Sequence, residues 1–150
     1  MQFYPLGKKI MRDIAYEQAV LKHQRKILRI LNEYSLENTD DWTERDLLAI
    51  QRALQIFIES FIGMARYLVQ QKYTLSVSQS REAIDELKTR GDLTANQYQQ
   101  LLAIIGFRNI LVHDYLDINE AIVEAIIIKK HYAIMEELLM LWKNELNFLA

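Results

Sequence analysis

Apolar residues recur along most of this chain at three- and four-residue spacing, and no stretch shows the strict alternation of a half-buried strand. A first helix is expected over residues 10–34, with Ile14, Leu21, Leu28 and Leu31 on one stripe, followed by a polar break at residues 35–41. Thr43 with Asp46 then forms an N-terminal cap for a long core helix that extends to about Lys72. Its buried stripe reads Leu47, Leu54, Phe57, Ile58, Phe61, Ile62, Ala65, Leu68 and Val69.

A shorter helix is expected over residues 78–90, carrying Ala83, Ile84 and Leu87 and stopping at Gly91, the residue type favoured just past a helix end. Thr94 with Gln97 makes a capping box that opens a fourth helix, whose stripe is Tyr98, Leu101, Leu102 and Ile105. A last helix, residues 119–146, aligns Ile127, Ile134, Leu138 and Leu141, with Phe148 continuing that face. With one Pro and four Gly, the pattern predicts an all-α, up-and-down bundle of about five helices joined by short loops, in a single domain spanning residues 1–150.

Composition narrows the function classes. The absence of Cys excludes a disulfide framework and a thiolate metal site, and points to a reducing, cytoplasmic setting. No window resembles a signal peptide or a membrane span, so no membrane partner is expected. The net charge of -2 argues against coating nucleic acid by bulk electrostatics. A local basic face is nevertheless open, because residues 1–34 hold seven Lys/Arg against three acids. The run from Lys22 to Arg29 also reads as the solvated side of a helix.

There is no Gly-rich phosphate loop, G-x-S-x-G or H-E-x-x-H, and His23 and His131 lack an i, i+4 partner histidine, so a metal centre has no support. Trp42 and Trp142 read as packing residues, and Asp40-Asp41 and Glu136-Glu137 as exposed acids.

Arg108 is the exception to the pattern. It follows Ile105 by three residues and so lies within about 60° of the apolar stripe of its helix. A guanidinium aimed there must be paired or must face a cleft; Glu59 or a helix end could be a purely structural partner. His113 comes five residues later, and on a continuous helix the two side chains diverge by about 140°. Two arrangements reconcile them. The helix breaks after about Val112, or, as the larger contributor, two copies pack across a two-fold axis and pool their Arg and His side chains. Tyr115 returns to the arginine's side.

The string R-N-I-L-V-H-D-Y at positions 108–115, near the end of a helix, resembles the R-x4-H-x-Y motif of the HEPN superfamily. Within it, the similarity is greatest to the HepT-like toxins of toxin–antitoxin pairs. The context agrees over essentially the whole chain: a long helix through residues 51–70 with Glu59 and Gly63, the approach L-L-A-I-I-G-F into the motif, and the acidic stretch from Asp117 to Glu120.

The resemblance implies a helical bundle forming a two-fold homodimer with its active cleft at the interface. It implies a metal-independent endoribonuclease without a cofactor, acting on RNA, with tRNA the favoured class. Arg108 would hold the scissile phosphate and stabilise charge in the transition state. His113 would serve as general acid/base near neutral pH. Asn109 and Asp114 would be supporting residues. Tyr115 matches the position to which a partner nucleotidyltransferase (MNT) antitoxin adds AMP in a type VII-like system. The alternative is a non-catalytic HEPN subunit that binds substrate or acts as a scaffold for a nucleotidyltransferase.

Overall fold

The computed structural model describes residues 11–149, with the side chains of Tyr115, Phe148 and Leu149 outside that description. Six α-helices and no strand occur among the described residues: α1 (Ile14–Ser35), α2 (Glu44–Tyr73), α3 (Ser80–Thr89), α4 (Ala95–His113), α5 (Glu120–Ile128) and α6 (Ala133–Leu149). One-turn 3-10 segments, Thr39–Asp41 and Tyr115–Asp117, link α1 to α2 and α4 to α5.

The starts of the helices follow local chemistry. Asp13 caps α1 by accepting a hydrogen bond from the Tyr16 amide at 3.0 Å, so the helix begins after residue 10, which itself lies outside the described residues. The cap expected at Thr43 forms as a full capping box, in which Thr43 and Asp46 exchange amide bonds of 3.2 and 2.8 Å, and the capping box expected at Thr94 forms with Gln97 through bonds of 3.1 and 2.9 Å. The start of α3 differs from expectation, since it opens at Ser80 rather than residue 78, after a Gln79 that makes no side-chain cap.

One expected helix is two. Residues 119–146 do not form a continuous rod, because Lys130 adopts φ 52 and ends α5. The Lys130 amide bonds the Ile127 carbonyl at 3.2 Å and the His131 amide bonds that of Ile126 at 2.9 Å, the paired bonds of a Schellman turn. The same turn closes α3 at Gly91, where the sequence announces it with glycine. At Lys130 a lysine takes the left-handed position, at a cost that packing on both sides overrides. On α6 the inward face runs through Met135, Leu138, Leu139, Trp142 and Leu146, and Leu141, expected on the core face, is 46% exposed at its edge.

Helix α2 is the axis of the core. Ile50, Leu54, Phe57, Ile58, Phe61, Ile62, Ala65, Leu68 and Val69 are all buried, and the Trp142 ring of α6 stacks on Phe61 with centroids 5.0 Å apart. By length and composition α2 could cross a membrane, but its apolar residues meet α1, α3, α4 and α6 here. On α1, Leu28 and Leu31 are buried as expected, whereas Ile14 is exposed. Lys22, Arg25, Lys26 and Arg29 all stand in solvent, the bland reading of that basic run.

Two polar clusters pin the helix ends. Glu17, buried on α1, accepts from Arg12 at 2.9 Å and from the Tyr67 hydroxyl at 2.6 Å, while Arg12 reaches Asn147 of α6 at 3.0 Å. Closer still to the C-terminal end of α2, Lys72 bridges Asp92 and Glu145, and Tyr73 donates to Asp92 beneath the Arg90 guanidinium.

Two outcomes follow. Lys130→Gly relieves the left-handed strain and should stabilise the fold by up to about 1 kcal/mol, read by urea denaturation, whereas Lys130→Val should destabilise it. Burial pushes the Glu17 carboxyl up, but hydrogen bonds from Arg12 and Tyr67 outweigh it and hold the group below the usual carboxylate range. Its contribution is therefore present above the ordinary carboxylate pKa and lost as pH falls through the folded value. Glu17→Gln should lose about 2–3 kcal/mol at pH 7, and its stability should converge on that of the wild type as the pH falls.

Candidate functional site

The Arg108 side chain is turned inward from α4 onto α2 and α3. Its Nη2 donates to Ser80 Oγ at 2.6 Å, and its Nη1 lies 3.3 Å from Glu59 Oε1. The Arg108 Nε is buried and makes no hydrogen bond. Charge-assisted bonds to two different helices thus fix where the guanidinium lies. Ser80 is free to do this because the cap position falls one residue earlier, at Gln79. Glu59 is 44% exposed against 18% for Arg108, so their ion pair sits at the rim of the protein, where such a pair is worth at most about 1 kcal/mol. An incoming phosphate can compete for it.

His113 is elsewhere. The helix does not break after Val112; α4 continues through His113 and ends at Asp114, whose amide bonds the Ile110 carbonyl at 2.9 Å. Both His113 and Asp114 are exposed, and no hydrogen bond joins Arg108 to His113 among the described residues. Asn109, also exposed, lies four residues before His113 and so shares its face of the helix. Tyr115 opens the 3-10 turn directly after α4. The chain therefore carries a guanidinium turned inward and an exposed imidazole on different sides of one helix end.

That helix end is also unusually apolar on its outside. Leu101 and Leu111 are the buried residues of α4, while Ile110 and Val112 are exposed, Leu116 in the following turn is 84% exposed, and Ile122 of α5 is half exposed. Gly106, on the same outer side as Asn109, has no neighbour within 4 Å of an added Cβ. A groove of about 360 Å³ runs beside this surface, lined by Ile104, Phe107, Ile122, Ile126 and Met135 among others. Among the described residues no group of three His, Asp or Glu side chains could hold a metal ion.

The family model for ribonuclease HepT-like proteins matches residues 20–141. The chain belongs to the HepT-like family of the HEPN superfamily. Solved structures share the HepT-like bundle. A Bacillus subtilis protein described as cytosolic and of unknown function, YutE, superposes with TM-score 0.72 at 19% identity, over 91% of this chain and 92% of that one. A Shewanella oneidensis HEPN toxin, tri-AMPylated and in complex with its MNT antitoxin, gives TM-score 0.71 at 25% identity, over 89% and 99%. A toxin–antitoxin structure with AMP-PNP gives 0.67 at 24%, over 88% and 99%. No curated protein matches the sequence.

Sequence reading found the motif of this HepT-like chain and anticipated Glu59 as an arginine partner. It missed Ser80, which is 28 residues from Arg108 and looks in sequence like one more helix-opening serine. If the Glu59 pair restrains Arg108, Glu59→Gln should leave the fold intact and tighten binding of inorganic phosphate at Arg108 by up to about fivefold, followed through the arginine side-chain NMR signals. Unchanged or weaker phosphate binding would contradict that restraint.

Proposed function

We propose that this HepT-like chain is the toxin of a type VII-like toxin–antitoxin pair, a metal-independent endoribonuclease that cleaves RNA, tRNA foremost, in the cytoplasm. The observation that carries the reading is the Arg108 guanidinium held by Ser80 and by a rim-exposed, displaceable Glu59 at the end of the helix that also bears His113. The family match and the HEPN toxin among the structural neighbours support it.

In this mechanism Arg108 exchanges Glu59 for a non-bridging oxygen of the scissile phosphate and stabilises the charge that builds on phosphorus oxygens in the transition state. An imidazole of His113 removes the proton from the ribose 2′-hydroxyl, and the 2′-oxygen attacks phosphorus. The bond to the 5′-oxygen breaks, and this leaving oxygen takes up a proton from water. The products are a 2′,3′-cyclic phosphate and a 5′-hydroxyl. Asn109 and Asp114 flank the imidazole and orient the strand.

A single chain offers one such imidazole, on a different side of α4 from Arg108, so the reaction calls for two copies. The exposed apolar surface of α4, the turn after it and α5, with the open space over Gly106, supports a two-fold homodimer whose cleft receives Arg108 and His113 from both copies. Tyr115 follows His113 by two residues, in the turn after α4. AMP added there by a nucleotidyltransferase (MNT) antitoxin places phosphate beside the site, where it competes for Arg108 and blocks RNA.

Arg108→Ala and His113→Ala should each reduce cleavage of purified tRNA by at least about a thousandfold, while circular dichroism and sedimentation stay as in wild type. Tyr115→Phe should remain a nuclease that the antitoxin and ATP no longer silence. Cleavage that persists in both alanine variants rejects the site; folded wild-type protein that leaves RNA intact favours the substrate-binding subunit instead.

A further inference from the structure

The row Glu59, Gly63, Arg66 and Gln70 runs straight along one side of α2, because residues four, three and four apart stack on a helix. Glu59 meets Arg108 at one end of the row. Farther along, Arg66 Nη1 donates to the Ser78 carbonyl at 3.1 Å, two residues from the Ser80 that holds Arg108. One short connection between α2 and α3 therefore seats both guanidinium groups, which brings them within the reach of neighbouring phosphates on one strand.

The two arginines differ in what opposes their charge. Arg108 has Glu59, whereas no carboxylate lies within ion-pair distance of the half-buried Arg66 among the described residues. Arg66 forms a wall of an open cavity of about 300 Å³ with Tyr67, Gln70, Gln71, Ser76 and Val77, and no acid lines it. Gln70 is 8% exposed; its Oε1 accepts from Gln71 at 3.3 Å, which leaves its Nε2 as a donor, and that nitrogen has no partner. Arg66 thus presents its remaining N–H groups to an acid-free cavity, and the unpaired polar atom of Gln70 behind it, the buried Nε2, is also a donor, so this wall is the complement of an anion.

Between the two ends lies Gly63. Its backbone is helical and needs no glycine, and an added Cβ would meet only the Tyr16 hydroxyl, at 3.4 Å. A glycine in a helix interior costs about 1 kcal/mol, and here it lets the Tyr16 hydroxyl of α1 approach the α2 backbone between Glu59 and Arg66.

We propose that Arg66, backed by Gln70, is a second phosphate site beside the α2–α3 connection, which holds the RNA phosphate next to the scissile one bound at Arg108. The proposal rests on the ribonuclease reading and adds to it a substrate contact and a minimum substrate length: a dinucleotide reaches Arg108 alone, and an oligonucleotide reaches both.

The test compares wild type, Arg66→Ala and Arg66→Lys on a dinucleotide and on an RNA oligonucleotide of about ten residues. For the oligonucleotide, Arg66→Ala should raise KM about tenfold with kcat little changed, and that penalty should exceed the dinucleotide's by nearly the same factor. Arg66→Lys should recover part of the loss. Oligonucleotide binding to His113→Ala, measured by fluorescence anisotropy against salt, should lose about 0.7 from its log–log slope when Arg66→Ala is added. Equal penalties on both substrates, or none, overturn the second site while leaving the nuclease intact; a wild type that cleaves neither substrate removes the nuclease reading itself. Weakened ATP binding with unchanged RNA kinetics would assign the cavity to a nucleotide and overturn the RNA assignment.

Discussion

The guanidinium of Arg108 is held from inside the molecule, by Ser80 at the start of α3 and Glu59 on α2, and that restraint shapes everything around it. An α-helix turns by about 100° per residue, so a side chain five positions later cannot share the direction of one that is tied inward. His113 is accordingly in solvent at the C-terminal end of α4. Were α4 to unwind after Val112 the two could converge within one chain, but the helix continues through His113. On the proposed reading the site is incomplete in one copy for this geometric reason, and the apolar surface left uncovered on the same helix end is where that reading docks a second copy.

Helix α2 reconciles two demands. One side of it carries the apolar residues that α1, α3, α4 and α6 cover. The other carries Glu59, Gly63, Arg66 and Gln70, a polar row interrupted by a glycine that the backbone does not require. The burial of the first side makes the second rigid, so the partners of Arg108 are fixed by the core rather than by a mobile loop. The buried Glu17 cluster and the Lys72 cluster, both in the C-terminal part of the helix, hold its neighbours in register.

Much of this was legible in the sequence because local chemistry decides it. The capping boxes at Thr43 and Thr94, the turn at Gly91 and the core stripe of α2 each depend on residues within a few positions of one another. The break between α5 and α6 was not, because Lys130 occupies a left-handed position with a side chain that usually continues a helix. The exposure of Leu141 was missed because the inward face of α6 is centred on Leu138 and Trp142. At the site, the inward direction of Arg108 was readable from periodicity, the R-x4-H-x-Y string by its resemblance to a family motif, and Glu59 as one of two possible structural partners. Ser80 was not, since only the packing of α3 against α4 brings a residue 28 positions away to the guanidinium.

The central claim is that Arg108 of one copy works with His113 of another. The direct measurement is RNA cleavage by an equal mixture of Arg108→Ala and His113→Ala, two inactive variants co-refolded so that subunits exchange. A cleft shared in this way leaves one intact site in each mixed dimer, so activity should return to about a quarter of wild type. A mixture as inactive as either variant, with exchange verified by tagged subunits, would contradict it.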